Sequence, residues 1–158
     1  MSGEKYGNMK TVYLIVTHSD QSSDFDVLFA SADYAKFEEF CRDCEFELDE
    51  DIFKVRNEQD FGYHDCTRYV AYAFNVKDAN KPLFALCVNG YERCCWEGVV
   101  MGLYDSKDKV RAKILEELTR TFDVVEEELE ETLSFFDKHN SCSDYDYTDW
   151  ICLNVNVE

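Results

Sequence analysis

Hydrophobic positions along the chain group into short segments that predict strands. Residues 11–17 form a nearly continuous apolar run, which is typical of a strand buried on both faces, whereas residues 67–76 alternate. Val70, Tyr72, Phe74 and Val76 should therefore share one face. The predicted strands are 11–17, 26–30, 67–76, 83–88, 97–104 and 150–157, with a short strand at 52–55, a hairpin turn at Asn89-Gly90, and polar connections at 57–66 and 140–149.

Three further segments place apolar residues three and four positions apart, which is the spacing of one helical face. The first runs from residue 32 to about 47, the second covers 107–121, and the third begins after Asp123. Their predicted buried positions are Phe37, Phe40, Cys41, Cys44 and Leu48 in the first helix, Val110, Ile114 and Leu118 in the second, and Val125, Leu129, Leu133 and Phe136 in the third.

This order of elements occurs twice. A strand end that runs into a Ser-x-Asp motif at Ser31 and Asp33 returns 75 residues later at Ser106 and Asp108. We expect each serine to cap a helix and each aspartate to complement the positive end of that helix. The opening strands match at an offset of 72 and the closing strands at 81, so the insertions fall in the connections.

The sequence therefore predicts an α+β fold with an internal duplication of two β-β-α-β-like units, residues 1–79 and 80–158. Each unit should form an antiparallel sheet, and the second should carry an extra acidic helix. The joint at 78–82 is short and holds the only proline, so we expect the units to pack as one globular body. One alternative stays open, namely that strands and serine-capped helices resemble one another by chance.

Charge is the strongest compositional feature. The chain has 34 acidic and 16 basic residues and a net charge of −18, with 17 acidic and 8 basic residues in each half, so no single acidic tail explains the total. Because a negative body repels phosphates, this charge argues against nucleic acid and anionic membranes as direct partners. It favours a basic protein surface.

Acidic residues are concentrated in three segments that together form the candidate partner-binding surface. The third predicted helix has five glutamates in six positions, and like charges one turn apart cost about 0.2–0.5 kcal/mol per pair. In the loop at 144–149, aspartates alternate with tyrosines, which suits a protein interface better than an EF-hand. The candidates are Glu126, Glu127, Glu128, Glu130 and Glu131 in the leading segment, and Glu45, Glu47, Asp49, Glu50, Asp51, Asp144, Asp146 and Asp149 in two secondary patches.

The eight cysteines do not form a recognisable metal or disulfide pattern. Cys41, Cys44, Cys87 and Cys152 fall where a small hydrophobic residue would pack, so we expect reduced core thiols. Whether Cys66, Cys94 and Cys95 have a metal or redox role stays open. We predict no metal and no cofactor.

Motifs of catalysis are lacking. The chain has neither a Gly-rich phosphate loop nor a G-x-S-x-G elbow, and the closeness of His64 and Cys66 in sequence implies no catalytic geometry. No apolar run is long enough to span a bilayer, and the first ten residues do not form a secretory signal. We therefore expect a cytoplasmic protein without enzymatic activity.

The expected function is that of an acidic interaction protein that mimics nucleic acid and blocks the basic site of a nucleic-acid-handling protein. Phages and mobile elements use such inhibitors against restriction and CRISPR systems, and a phage-encoded protein would act in the host cytoplasm. The alternative is a small cytosolic sensor or adaptor that binds a peptide or small ligand in an aromatic cleft, with Trp96 and Trp150 at its mouth. Salt distinguishes the two, because ions screen charge contacts and leave apolar contacts nearly unchanged.

Overall fold

The computed structural model describes residues 9–19, 24–77, 79, 82–92, 95–121, 125–143 and 148–158. Within these ranges, strands and helices follow the order β-β-α-α-β-β twice. The elements are β1 (Lys10–Ser19), β2 (Phe25–Ser31), α1 (Tyr34–Asp43), α2 (Glu50–Arg56), β3 (Glu58–His64), β4 (Thr67–Val76), β5 (Leu83–Glu92), β6 (Cys95–Tyr104), α3 (Lys107–Thr121), α4 (Glu126–His139), β7 (Ser141–Ser143) and β8 (Thr148–Val155).

The strands form two antiparallel four-stranded sheets with the same topology. Their orders are β2-β1-β4-β3 and β6-β5-β8-β7. The predicted α+β class with two similar units is thus confirmed. Each unit has one strand more than the β-β-α-β prediction, because β3 and β7 occupy segments expected to be polar connections. The first unit also has an unpredicted second helix, α2, whereas the acidic helix of the second unit, α4, was predicted.

Three hydrophobic clusters arrange these elements in four layers. Successive side chains of a strand point to opposite faces. Leu14 of β1 and Ala85 of β5 belong to one cluster between the two sheets. On the outer face of the first sheet, Phe37 of α1 and Phe53 of α2 pack with Ile15. A third cluster covers the outer face of the second sheet with α3 and α4, so the layers are helices, sheet, sheet, helices.

A β-bulge at the same place in both hairpins defines how the two units correspond. The β1–β2 register shifts after Ile15 and the β5–β6 register shifts after Leu86, which leaves Leu28 and Met101 as the extra residues. Equivalent residues of β1 and β5 are therefore 71 positions apart in the sequence, and those of β2 and β6 are 73 positions apart.

The predicted offset of 72 is wrong, and an error of one residue exchanges the two faces of a strand. Val12, Leu14 and Val16 face the other sheet, whereas Phe84, Leu86 and Val88, the residues matched to them, face the helices. Their true counterparts between the sheets are Leu83, Ala85 and Cys87. The offset of 81 predicted for the closing strands matches residues on the same face, since Tyr72 and Leu153 both pack in the core between the sheets.

The first helix is capped differently from the prediction. Asp33, not Ser31, caps α1, and its carboxylate accepts hydrogen bonds from the N–H groups of Ala35 (2.9 Å) and Lys36 (3.4 Å). Ser31 is buried, and its hydroxyl accepts from the N–H of Asp33 at 3.1 Å. In the second unit Ser106 does act as a cap, because its hydroxyl accepts from the Lys109 N–H at 3.2 Å.

The acidic helix α4 is the longer counterpart of α2, not an additional element. Asn57 ends α2 and Asn140 ends α4, both in the left-handed conformation with φ of 57° and 59°. Each asparagine N–H donates to the carbonyl of a buried phenylalanine, Phe53 or Phe136, at 2.8 Å. The strand predicted at 52–55 is wrong, because these residues lie in α2.

Three other predictions also need correction. Asn89 and Gly90 do not form a turn, because both pair with β6 inside β5. Cys44 and Val125 are exposed instead of buried, since α1 ends at Asp43 and Val125 precedes the first turn of α4. Phe40, Leu48 and Leu129 are only partly buried.

Candidate functional site

The leading acidic segment forms the N-terminal half of α4. Leu133 and Phe136 bury one side of this helix against the second sheet. The glutamates lie largely off that side, and Glu126, Glu127, Glu130 and Glu131 are exposed while Glu128 is half-buried. The amphipathic pattern thus directs most of this charge into solvent.

Three of these glutamates have a structural role. The N-cap of α4 is Val125, which has no side chain able to accept from the first-turn N–H groups. Glu126, Glu127 and Glu128 occupy that first turn, where negative charge is favourable by about 0.3–1 kcal/mol per residue. The positions of Glu130 and Glu131 have no such explanation.

Basic residues of the neighbouring helix α3 do not neutralise this charge. Arg111 pairs with Asp137 at 2.8 Å, Lys109 with Asp105 at 2.6 Å, and Lys113 and Arg120 with Glu117. Within the described ranges, none of the five α4 glutamates takes part in an ion pair. Their negative potential is therefore available to a partner.

A shallow groove of about 620 Å³ runs along the same side of α4. Phe135, which is 51% exposed, contributes an aromatic ring whose centroid lies 4.2 Å from that of His139. We call this groove the α4 surface, and its lining residues are Glu127, Glu130, Glu131, Ser134, Phe135, Lys138 and His139. Phe135 was missed in the sequence because it lies outside the apolar stripe.

In the secondary patch at 45–51, three carboxylates serve the fold. Asp49 caps α2 by accepting from the Ile52 N–H at 3.2 Å, and Glu50 and Asp51 occupy its first turn. A hydrogen bond with Glu50 raises the pKa of Glu38 on α1, and desolvation and the negative charge of Glu50 raise it further. The sequence analysis missed Glu38 because its approach to Glu50 depends on the packing of α1 beside α2.

Glu45 and Glu47, the remaining two residues of that patch, border a cleft of about 430 Å³. It lies between the α1–α2 connection and the edge strand β3, and we call it the Phe46–Phe61 cleft. The two phenyl rings stack with their centroids 4.8 Å apart and their planes 7° apart. Gln59, Asp60 and His64 complete the lining.

The third predicted patch is described only in part. Asp144 and Asp146 lie outside the described residues. Asp149 is half-buried in β8, where it accepts a hydrogen bond from the hydroxyl of Ser143 on β7. Asp149 therefore has a role in joining these strands.

The structure separates the candidate surfaces. The α4 surface belongs to the helix layer on the second sheet, whereas the Phe46–Phe61 cleft belongs to the helix layer on the first sheet. The two sheets and their shared core lie between these layers. A flat partner surface can contact one of the two sites, and only a partner that wraps around the protein reaches both.

Burial suppresses the reactivity of three core cysteines. Burial raises the pKa of the Cys41 thiol to about 12 and also raises the pKa of Cys87 and Cys152, which favours the protonated, unreactive form. Cys66 is exposed in the β3–β4 turn, Cys94 lies outside the described residues, and the side chain of Cys95 is not described. Among the residues that the structure does describe, no three His, Cys, Asp or Glu side chains are grouped as metal ligands.

The aromatic cleft expected around the tryptophans is wrong for Trp150, whose side chain is 6% exposed and packs beneath α3 and α4. The side chain of Trp96 is not described. Two surface depressions are lined by aromatic rings, one by Phe135 on α4 and the other by Phe46 and Phe61 beside β3.

In the described part of the chain, no helix combines the length and apolar character needed to cross a membrane. Compared with protein-family models, with curated proteins and with solved structures, the chain matches none of them.

Proposed function

We propose that this protein is a non-enzymatic acidic interaction protein that occupies the basic site of a nucleic-acid-handling protein, as inhibitors of restriction or CRISPR systems do. The observation that supports this proposal is the row of α4 glutamates that are directed into solvent and have no ion-pair partner in the described ranges. In this proposal the protein acts in the cytoplasm, which would be the host cytoplasm for a phage-encoded chain.

The energetics of α4 support a role beyond solubility. Like charges one turn apart destabilise a helix, and a net charge of about 2 to 8 is enough to keep a small domain soluble. This chain carries −18 and places Glu130 and Glu131 beyond the first turn of α4, where the helix N-terminus does not favour them. A row of carboxylates on a rigid helix attracts the Lys and Arg side chains that normally bind phosphates.

The first experiment is a pull-down from bacterial lysate at low salt, eluted with a salt gradient and analysed by mass spectrometry. We expect a basic nucleic-acid-binding protein to elute late and to lose DNA binding when the acidic protein is added back. Retention of no basic protein would contradict the proposal.

Matched variants then distinguish the α4 surface from total charge. Glu130→Gln with Glu131→Gln removes two carboxylates outside the first turn, so the fold should be retained and partner affinity should fall roughly tenfold. Asp26→Asn with Glu39→Gln removes the same charge from exposed positions in the first unit and should leave affinity nearly unchanged. Equal losses in both variants would mean that only net charge matters, and no loss in the first would exclude the α4 surface.

The Phe46–Phe61 cleft favours a second candidate function, a sensor or adaptor that binds a peptide or small ligand. Its volume of about 430 Å³ lies within the usual range for ligand sites. Binding dominated by these rings should vary little with salt, whereas binding by α4 should weaken steeply.

A further inference from the structure

We infer that the Phe46–Phe61 cleft binds an arginine side chain of the partner protein. This inference rests on the proposed function, because the basic site of a nucleic-acid-binding protein presents arginines, and it identifies what the first unit would contact. It concerns a site on the opposite helix layer from the α4 surface, so a partner that uses both sites must wrap around the protein.

The walls of the cleft are held in place by hydrogen bonds between the α1–α2 connection and β3. The Gln59 side chain donates to the Glu47 carbonyl at 2.8 Å and accepts from the Asp49 N–H at 2.9 Å. At the end of α1, the Phe46 N–H donates to the Cys41 carbonyl at 2.8 Å. The connection is therefore ordered before any ligand binds, which lowers the entropic cost of binding.

Aromatic rings form one side of the cleft. Phe46 stacks on Phe61, and its ring centroid lies 5.3 Å from that of Tyr69 and 6.5 Å from that of His64. Phe46 and Phe61 are only partly buried, so part of each ring remains available. The faces of such rings attract cations, and arginine is the cation found there most often.

Carboxylates form the rim. Asp60 is engaged by Arg68 at 2.8 Å, whereas Glu45 and Glu47 are exposed and form no ion pair within the described ranges. The rim therefore has two carboxylates available for a cation. Arginine fits this combination better than lysine, because its planar guanidinium can stack on a ring while it donates to a carboxylate.

The test uses N-acetyl-arginine amide, N-acetyl-lysine amide and N-acetyl-citrulline amide as probes, with binding followed through the backbone amide signals in ¹H–¹⁵N NMR spectra. We expect saturable shifts at residues 45–47 and 59–64 with the arginine probe, weaker binding of the lysine probe, and no binding of uncharged citrulline. Equal binding of the lysine or citrulline probe, or no saturable shift at these residues, would overturn the inference.

Two variants keep the test independent of folding. Phe61→Leu removes the aromatic face but keeps an apolar side chain, and Glu47→Gln removes one exposed carboxylate without affecting a buried group. We expect each to weaken binding of the arginine probe roughly fivefold. The matched control, Phe135→Leu, removes the exposed ring of the α4 surface and should leave probe binding unchanged. Unchanged binding in both cleft variants would overturn the inference.

Failure of this inference and failure of the proposed function give different results. If the arginine probe does not bind but Glu130→Gln with Glu131→Gln still weakens partner binding, the cleft assignment is wrong and the proposed function stands. If the probe binds as expected but no basic partner is retained from lysate, the cleft binds arginine and the proposed function is wrong.

Discussion

Asn89 is a fully buried polar residue at an unusual place, the core between the two sheets. Asn89 lies 71 residues after His18, which is also buried, and 71 is the offset between the opening strands of the two units. The two units therefore place a buried polar residue at equivalent positions of β1 and β5. Asn89 pairs in register with Gly98 of β6, where any side chain would overlap the ring of Phe25. Within the described residues, neither polar atom of the Asn89 side chain has a hydrogen-bond partner.

We predict that Asn89→Val stabilises the protein. A buried polar group without a partner costs about 1–3 kcal/mol, and valine is well suited to a strand interior. The free energy of unfolding, measured with urea, should therefore rise by about 1 kcal/mol or more. Asn154→Val, at an exposed position of β8, is the control and should change it by less than about 0.5 kcal/mol. A loss of stability in Asn89→Val would show that this amide makes a hydrogen bond in solution.

At the scale of elements, the acidic helices repel one another where they approach. α1 carries Glu38 and α2 carries Glu50, and the hydrogen bond between these carboxyl groups requires one shared proton. The pKa of Glu38 is raised above its usual value. The protonated carboxyl group therefore stabilises the folded state at pH values below the usual pKa, and this stabilisation is lost as the pH rises through the raised pKa. Once the pH exceeds that raised value, the ionised Glu38 faces the negative charge of Glu50, and their repulsion destabilises the α1–α2 contact.

We therefore predict that Glu38→Gln raises the melting temperature at pH 7 and changes it little at about pH 4, below the usual pKa of the carboxyl group, where the repulsion between Glu38 and Glu50 is relieved. Glutamine keeps the hydrogen-bonding capacity and removes the repulsion. Glu39→Gln, one position along α1 and exposed, should change the melting temperature little at either pH. A gain of equal size at both pH values would mean that Glu38 and Glu50 do not share a proton.

For the whole molecule, the net charge of −18 opposes compaction at every pH where the carboxylates are ionised. Such self-repulsion acts over about 10 Å in 0.1 M salt and further in dilute buffer. The same charge that weakens the fold would strengthen binding to a basic partner. Stability and partner affinity should therefore respond to salt in opposite directions.

The corresponding prediction is that sodium chloride raises the melting temperature of the free protein while it lowers affinity for the captured partner. Calorimetry and a binding titration at the same salt concentrations provide the two measurements. Asp26→Asn with Glu39→Gln, which lowers total charge away from α4, should reduce the salt dependence of melting. A melting temperature that falls with added salt would show that favourable ion pairs outweigh the repulsion.

Much of the fold could be predicted because it depends on local periodicity. The bounds of α3 match the predicted 107–121, and its predicted residues Val110, Ile114 and Leu118 are buried. Errors arose where neighbouring patterns compete. Residues 52–55 have the apolar content of a strand, but Asp49 provides a helix cap and Asn57 a left-handed helix end. The candidate carboxylates could be named from sequence, whereas the cleft residues Gln59 and Phe61 could not, because they meet the α1–α2 connection through long-range packing.

By itself, the sequence determined the fold class, the repeated order of elements and the acidic character of the surface, because periodicity, caps and charge are local properties. Only the tertiary structure decided the offset of 71, since the face of a strand depends on which sheet packs against it. It also placed α4 and the Phe46–Phe61 cleft in opposite helix layers. Which carboxylates serve the fold and which remain available to a partner depends on hydrogen bonds and ion pairs that form only when distant segments meet.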